Sequence, residues 1–261
     1  MIYAIIQART GSRRLPNKVL MEFCNKPNLY HVYQRVRKSK AIDKIIIATT
    51  DKLDDDRVCQ LCLDNKIDCF RGNEEDVLDR FYQCCVRFDA HPDDIIVRIT
   101  ADCPLIDPYL VDRVIDFYIK SNCDYASNTV EPTYPDGLDV EVFSFRALKR
   151  AWEHACLSSE REHVTPYIRN NSEFFKIGSF KNDIDLSHYR WTLDEIEDYQ
   201  FINIIYENLY NENRVFTTEE VLRFLKNNSE LEGINSRYIR NEGYLKSLTE
   251  DNKLEKSDGC A

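Results

Sequence analysis

Residues 1–18 read Met-Ile-Tyr-Ala-Ile-Ile-Gln-Ala-Arg-Thr-Gly-Ser-Arg-Arg-Leu-Pro-Asn-Lys, and they carry the clearest architectural signal in the chain. The apolar run at 3–7 is typical of a buried parallel strand. Four cations and two small residues follow it directly: Arg9, Gly11, Ser12, Arg13, Arg14 and Lys18. A strand that leads straight into a flexible cationic turn predicts a βα unit whose loop binds an anion.

The same alternation continues through the first half of the chain. Short apolar runs predict strands at 3–7, 44–48, 68–70 and 95–99, and segments of helical period predict helices at 28–39, 54–65, 75–88 and 108–120. This order is typical of an α/β fold with three layers around a mostly parallel sheet. Ligands of such sheets bind outside the carboxyl ends of the strands, here the loops 8–17, 49–53 and 100–107.

The pattern changes after residue 124. A long loop at 127–138 contains two prolines and a Tyr-Pro-Asp-Gly turn, and it leads into an alternating strand at 139–143. The remaining sequence predicts helices at 144–155, 160–170, 196–210 and 218–227 and strands at 174–179 and 189–193. We therefore expect one domain over residues 1–248 with a small antiparallel arm, followed by a charged tail over 249–261.

Composition limits the possible partners. The 261 residues contain 35 Lys and Arg against 45 Asp and Glu, a formal net charge of −10. This charge argues against broad binding of nucleic acid or anionic membranes, so we expect neither partner. The apolar start is too short for a signal peptide or a membrane span, which predicts a cytoplasmic protein. Its ten cysteines are accordingly expected to be thiols.

Two acidic motifs accompany the cationic loop. Residues 98–107 read Arg-Ile-Thr-Ala-Asp-Cys-Pro-Leu-Ile-Asp, which places Asp102 after a strand in the same crevice, where a carboxylate beside phosphate suits Mg²⁺. Residues 190–198 read Arg-Trp-Thr-Leu-Asp-Glu-Ile-Glu-Asp, with Asp194 just before a helix. Simpler interpretations remain open: a solvated basic loop, a turn capped by Asp102, and a helix capped by Asp194.

Together these motifs resemble the cytidylyltransferases that activate acidic sugars, such as the CMP-Kdo and CMP-sialic acid synthetases. The similarity is greater to the SpsF type, named for spore coat polysaccharide synthesis. It rests on Phe-Arg-Gly-Asn-Glu-Glu-Asp-Val-Leu-Asp-Arg-Phe-Tyr at 70–82, Tyr-Pro-Asp-Gly-Leu-Asp-Val-Glu-Val-Phe at 134–143, Arg-Glu-His-Val-Thr-Pro-Tyr-Ile at 161–168 and Asn-Glu-Gly-Tyr-Leu-Lys-Ser-Leu at 241–248. The resemblance covers residues 1 to about 248.

The resemblance implies a nucleotide-diphospho-sugar transferase fold, which is Rossmann-like, and transfer of CMP from CTP to an acidic sugar or similar small acceptor in bacterial surface glycan synthesis. It implies Mg²⁺ as cofactor and a homodimer. Arg9, Lys18 and Asp102 match catalytic positions, and Asp102 and Asp194 match metal ligands. The implied nucleotide-binding residues are Ala8, Arg9, Gly11, Ser12, Arg14, Lys18, Arg80, Thr100 and Asp102. The implied acceptor-binding residues are Asp136, Asp139, Glu141, Arg161 and His163.

The chain departs from the family pattern at three positions. Arg13 and Asn17 stand where Thr and Gly are common, and Ala101 stands where Gly is common. Arg13 removes no ligand, and Asn tolerates a left-handed turn. Ala101 raises the question of how closely the nucleotide can approach the backbone.

Other functions remain open from the sequence. A sugar phosphate or an amino sugar is an alternative acceptor. A glycosyltransferase of related fold would use an Asp-x-Asp triplet for its metal, and residues 183–185 read Asp-Ile-Asp. A non-catalytic nucleotide-binding module would result if the charged groups failed to converge in space.

Overall fold

The structure, a computed structural model, describes residues 1–258, with side chains described as far as residue 251. This part of the chain forms the strands β1 (Ile2–Gln7), β2 (Glu22–Phe23), β3 (Lys26–Pro27), β4 (Lys44–Thr50), β5 (Asp68–Gly72), β6 (Ile95–Thr100), β7 (Tyr125–Ser127), β8 (Glu141–Ser144) and β9 (Ile177–Ser179). The helices are α1 (Asn28–Val36), α2 (Asp56–Asp64), α3 (Val77–Arg87), α4 (Pro108–Ser121), α5 (Phe145–His154), α6 (Ser158–His163), α7 (Pro166–Asn170), α8 (Ile196–Leu209), α9 (Thr218–Lys226) and α10 (Glu242–Asp258).

Seven strands form the central sheet in the order β5-β4-β1-β6-β8-β7-β9. Every neighbouring pair is parallel except those made by β8, which runs antiparallel to both β6 and β7. The mostly parallel sheet predicted from the sequence is therefore confirmed. Because β1, β4 and β6 are parallel, their carboxyl ends meet at one edge, and the loops that follow them share a crevice.

Helices cover both faces of the sheet, which gives the three predicted layers. Alternate residues of β1 point to opposite faces: Ala4 and Ile6 belong to one apolar cluster, and Tyr3 and Ile5 to the other. The first cluster is completed by α1, α2, α4, α8 and α9, and the second mainly by α3 and α5. Strands buried on both faces read as continuous apolar runs, so β1, β4 and β6 were recognisable in the sequence.

The small antiparallel elements differ in place from the prediction. The strand expected at 139–143 is β8, and it is built into the main sheet rather than into an arm. The separate antiparallel ribbon is β2–β3, whose turn residues Cys24 and Asn25 both have positive φ. Such a turn is usually signalled by Gly, and its absence hid the ribbon.

Three other segments also differ from expectation. Residues 189–193 form no strand, since only Arg190 makes an isolated bridge with Asp136. The helix expected at 160–170 divides at Val164, whose φ of 72° breaks the helical path between α6 and α7. The three-residue strand β7 was not predicted, because Tyr-Ala-Ser is too short to show a period.

At the carboxyl terminus, residues 249–258 continue helix α10. The rest of the predicted tail, 259–261, lies outside the described residues, and the division of the chain at residue 248 stays a prediction. Among the described residues, no helix is both long and apolar enough to cross a bilayer. Nine cysteines lie in this part of the chain, and all are free thiols.

Candidate active site

The cationic loop leaves β1 at the sheet edge and is held from beneath by Asp55. The Asp55 carboxylate accepts hydrogen bonds from the Thr10 amide at 2.7 Å and the Thr10 hydroxyl at 2.8 Å, and it also accepts from the Thr50 hydroxyl. Asp55 is 2% exposed. Thr10 lies between Arg9 and Gly11, so the buried Asp55 carboxylate holds the backbone of the loop in position. It does not form an ion pair with the described cations of the loop.

Two of the three departures from the family pattern are accommodated by the backbone. Asn17 has a φ of 59°, the left-handed conformation expected for it, and its amide donates to the Thr10 carbonyl at 3.0 Å. Ala101 is absent from the residues with positive φ within 1–258, and its amide donates to the Gln7 carbonyl at 3.0 Å. Alanine therefore fits this backbone without strain.

Three charged residues from distant parts of the chain converge at the end of this loop. The Lys18 ammonium lies 2.8 Å from an Asp102 oxygen and 2.7 Å from an Asp194 oxygen. Burial opposes the charged form of Lys18, but the two carboxylates outweigh it and raise its pKa above the ordinary value. Burial likewise disfavours an ionised Asp102, yet Lys18 outweighs it and lowers the Asp102 pKa to about 2. Lys18 and Asp102 therefore stabilise each other's charged forms.

The backbone after Asp102 explains how residues 92 positions apart meet. The Leu193 amide donates to the Asp102 carbonyl at 2.8 Å, which places Asp194 beside the Asp102 loop. The buried Asp198 carboxylate accepts from the Asp194 amide at 2.9 Å. The N-cap of α8 is Glu195, so the helix-capping interpretation of Asp194 is wrong. The Asp194 side chain faces Lys18 instead.

Two carboxylates at one point fit a magnesium ion. Mg²⁺ commonly takes only one or two protein carboxylates and completes its coordination with water and substrate phosphates. Among the described side chains, no group of three or more His, Cys, Asp or Glu residues could hold a metal by itself. Asp102 and Asp194 are hard oxygen donors that the same ammonium already bridges, so their oxygens face a common position.

Three arginines near the site differ in whether they form ion pairs with carboxylates. Arg14 contacts Asp194 at 2.9 Å, Glu195 at 3.3 Å and Glu242 at 3.1 Å. Arg80 is 1% exposed and donates to the Asn73 carbonyl, while its Nε has no hydrogen-bond partner. Burial, followed by the nearby charge of Arg9, lowers the Arg80 pKa to about 10. No described carboxylate forms an ion pair with Arg9 or Arg80, so both cations are available to an anion.

The remaining nucleotide-site candidates line the same loops. Ala8 continues the strand, and its backbone amide donates a hydrogen bond to the Ala48 carbonyl at 3.1 Å. The Ser12 hydroxyl oxygen accepts from the Leu15 amide at 3.4 Å, and Gly11 is exposed. The Thr100 hydroxyl lies 3.1 Å from the Cys103 sulfur. Their roles in nucleotide binding stay predictions.

The predicted acceptor residues fall into three groups, the third of which is His163 alone. Glu141 is buried against Arg98 and accepts from the Tyr125 hydroxyl at 2.6 Å. The Arg161 guanidinium is bound to Asp76 and donates to the Trp152 carbonyl at 2.9 Å. Both side chains form ion pairs and hydrogen bonds with neighbouring residues. Their role in acceptor binding stays a prediction.

Asp136 and Asp139 form the second group, beside two arginines that the sequence reasoning missed. Arg240 contacts Asp139 at 2.7 Å, and Arg190 contacts Asp136 at 3.4 Å. Burial, followed by the charge of Asp139, raises the Asp136 pKa to about 7. Burial also raises the Asp139 pKa. Two carboxylates and two guanidinium groups thus share this region, and Arg190 also contacts the buried Asp198 at 2.8 Å.

His163 lies at the carboxyl end of α6, next to a strained turn. Its Nε2 is 2.9 Å from the Ser247 hydroxyl of α10, and burial lowers its pKa to about 4. The neighbouring Val164 has φ 72° and ψ −53°, and the Thr165 amide donates to the His163 carbonyl at 2.8 Å, which makes a γ-turn. A β-branched residue at positive φ is strained, and such strain concentrates at functional sites.

Sequence reasoning missed four residues that build the site: Asp55, Arg98, Arg190 and Arg240. Arg98 and Arg190 open the two acidic motifs, and Arg240 immediately precedes the motif at 241–248. The position of these three arginines in or beside a recognised motif was thus the signal that could have identified them. The triplet Asp183, Ile184 and Asp185 lies in an exposed loop, where Asp185 accepts from the Ser187 amide.

Known proteins with a similar sequence or structure identify the family of this chain. A family model described as Cytidylyltransferase matches residues 3–235. The spore coat polysaccharide biosynthesis protein SpsF of Bacillus subtilis is 36% identical over 213 residues, which cover 79% of this chain and 86% of that protein. The 3-deoxy-manno-octulosonate cytidylyltransferase of Geobacter metallireducens is 37% identical over 116 residues, 44% of this chain and 43% of that protein. A solved cytidylyltransferase structure from Leptospira borgpetersenii superposes with a TM-score of 0.82 at 31% identity, over 88% of this chain and 95% of that chain.

Proposed function

We propose that this protein, which belongs to the cytidylyltransferase family, transfers CMP from CTP to a hydroxyl of a small acidic sugar and releases pyrophosphate. As a member of that family it is a nucleotidyltransferase. The observation that carries the proposal is the convergence of Lys18, Asp102 and Asp194 beside the cationic loop. Nucleotidyl transfer needs this combination, because cations and a metal must neutralise charge on the phosphates as the leaving group departs.

The proposed reaction is a single displacement. The acceptor oxygen attacks the α-phosphorus of CTP, a new P–O bond forms, and the bond to the bridging oxygen breaks as pyrophosphate leaves. Arg9 and Lys18 would stabilise the charge that develops on the phosphate oxygens. Mg²⁺, held by Asp102 and Asp194, would supply further charge neutralisation when bound. The acceptor supplies its own oxygen, so no covalent intermediate on the protein is required.

The unpaired cations support a polyanionic nucleotide at this edge. Arg9 follows β1, and the buried Arg80 of α3 lies close enough for the two charges to interact. A guanidinium buried without a carboxylate partner destabilises the folded state. A bound anion would offset this loss of stability at Arg80. Arg80 is accordingly our candidate for a nucleotide contact.

Both the relatives and the local chemistry bear on the acceptor. The Geobacter relative acts, by its name, on 3-deoxy-manno-octulosonate, which is an acidic sugar. Arg240, half-buried beside Asp139, is a cation that such a carboxylate would meet. The paired carboxylates Asp136 and Asp139 favour a second candidate, an acceptor that carries an amino group, because an ammonium would relieve their repulsion.

The biological setting is part of the same proposal. The name of the Bacillus subtilis relative supports a role in the synthesis of surface glycan precursors. The family resemblance supports a homodimer that works in the cytoplasm. Size-exclusion chromatography with light scattering tests the homodimer.

A substrate panel tests the reaction. The protein is incubated with Mg²⁺, each of the four nucleoside triphosphates and each of four acceptor classes: sugar acids, amino sugars, neutral sugars and sugar phosphates. Release of pyrophosphate is measured, and the nucleotide product is identified by mass. We expect release only with CTP and a sugar acid. Activity confined to amino sugars or to sugar phosphates would replace the acceptor while leaving nucleotidyl transfer intact. No pyrophosphate from any pair would refute the reaction.

A further inference from the structure

The Lys18 ammonium lies between Asp102 and Asp194, at the position where the two carboxylates would bind a metal ion. Its ammonium is 2.8 Å from Asp102 and 2.7 Å from Asp194, and its side chain is 11% exposed. Both carboxylates belong to loops that are fixed from behind, because the Asp102 carbonyl accepts from Leu193 and the Asp194 amide donates to Asp198. The ammonium therefore fills a prepared position between two anchored carboxylates.

The charges around this position are already balanced by the chain itself. Arg14 lies 2.9 Å from the same Asp194 oxygen that Lys18 contacts, and Arg190 lies 3.7 Å from the other oxygen of Asp194. A divalent cation that approached the two aspartates without nucleotide would meet the ammonium and the Arg14 guanidinium at close range. Such repulsion is strong where water is partly excluded.

We propose that Lys18 is an internal counter-ion that keeps divalent metal off Asp102 and Asp194 until a triphosphate binds. This inference rests on the proposed function, since it assigns an order of binding at the same site. A triphosphate offers the ammonium a stronger anionic partner, and Lys18 moves from the carboxylates to the phosphates. The two aspartates then become available to the metal, so metal enters only with nucleotide or after it.

Excluding metal from the nucleotide-free site keeps Lys18 and the two aspartates positioned for the nucleotide. A metal bound to the nucleotide-free protein would fix both aspartates and leave Lys18 without a carboxylate partner in a buried position. Holding the ammonium there instead keeps the carboxylates in place and keeps Lys18 within reach of the phosphates. One residue thus serves as a stabilising counter-ion before binding and as a phosphate ligand afterwards.

The test measures Mn²⁺ binding to the full chain in the absence of nucleotide, by the electron paramagnetic resonance signal of free Mn²⁺. Lys18→Met removes the ammonium while keeping a long apolar side chain, and Lys18→Gln is a second variant. Arg13→Met is the matched control, because Arg13 is an exposed cation of the same loop without an ion pair to any described side chain. We expect weak binding by the wild type and by Arg13→Met, and affinity roughly tenfold or more higher in both Lys18 variants.

Two further measurements locate the effect. Asp194→Asn in the Lys18→Met background should abolish the gained Mn²⁺ affinity, and Mg²⁺ should raise the melting temperature of Lys18→Met but not of the wild type. Tight Mn²⁺ binding by the nucleotide-free wild type would overturn the inference even if neither variant folds, and so would equal affinities in wild type and Lys18→Met. None of these measurements needs turnover. A gain of metal affinity in the Lys18 variants, together with no pyrophosphate release by the wild type across the substrate panel, would refute the proposed function and leave the exclusion of metal by Lys18 standing.

Discussion

Replacing Asp55 with alanine tests whether one buried carboxylate positions the whole cationic loop. Asp55 accepts two hydrogen bonds from Thr10 and one from Thr50, and it is 2% exposed. Alanine removes all three bonds and leaves the buried Thr10 amide without a partner. Hydrogen bonds to charged groups contribute about 1.5–3 kcal/mol each, and the two hydroxyls can find other partners. We therefore expect a loss of about 3–5 kcal/mol in the free energy of unfolding, at the large end for single substitutions.

For a chain of this size, 1 kcal/mol corresponds to roughly 2–4 °C in melting temperature, so a decrease on the order of 10 °C is expected. Urea denaturation followed by tryptophan fluorescence measures the free energy, because Trp191 is buried and its neighbour Thr192 contacts the Asp102 carbonyl. Calorimetric titration with CTP should also show weaker binding, since Arg9 precedes Thr10 and loses its fixed position.

Asp54→Ala is the matched control, because Asp54 is the same residue type on the same turn and is exposed. It should leave both stability and CTP binding nearly unchanged. If Asp55→Ala melted at the same temperature as Asp54→Ala, the buried carboxylate would not hold the loop. If it lost stability but bound CTP normally, Asp55 would be structural without positioning the nucleotide site.

Three further predictions follow from the site. Arg9→Ala should lower turnover about a hundredfold or more with little change in melting temperature, because Arg9 forms no ion pair with a described side chain, and Arg13→Ala should do neither. Asp194→Asn should raise the Mg²⁺ concentration needed for half-maximal pyrophosphate release, because an amide is a poorer ligand than a carboxylate; an unchanged requirement would remove Asp194 from the metal site. Burial lowers the pKa of His163 to about 4 from 6.5, so the unfolded chain binds a proton that the folded chain excludes, and stability falls as pH drops from 6.5 to 4. His163→Gln should reduce that fall in thermal melts at pH 7 and pH 5, whereas the exposed His91→Gln should not.

The first half of the fold could be predicted because its signals are local. Each of β1, β4 and β6 is an apolar run buried on both faces, and each is followed by a loop at the same sheet edge. That rule alone brings the cationic loop and Asp102 into one crevice. It does not reach Asp194, because the strand predicted at 189–193 does not form. The sequence singled out Asp194 before a helix, but its role as a metal ligand came only from the family resemblance.

Asp55 illustrates what the sequence could not reveal. Residues 51–56 read Asp-Lys-Leu-Asp-Asp-Asp, and nothing local separates Asp55 from the aspartates on either side. Its carboxylate contacts Thr10, in the loop after β1, and Thr50, the last residue of the neighbouring strand β4. Arg190 and Arg240 are hidden for the same reason, since their carboxylate partners are set by tertiary contacts and not by spacing along the chain.

Gly137 lies where the predicted acceptor region meets the segment that carries Asp194, one of the two carboxylates that we propose as metal ligands. It has a φ of 100°, and a Cβ there would lie 2.4 Å from both the Thr192 nitrogen and the Trp191 carbonyl carbon. Only glycine allows this approach, through which the Trp191 amide donates to the Asp136 carbonyl at 2.6 Å. Two residues farther along, Leu193 donates to Asp102. The 134–143 motif and the 190–198 motif are therefore joined through the backbone, and we expect a change in the loop that carries Asp136 to displace Asp194 as well. The same backbone contacts therefore hold the residues that we propose for acceptor binding and those that we propose for metal binding.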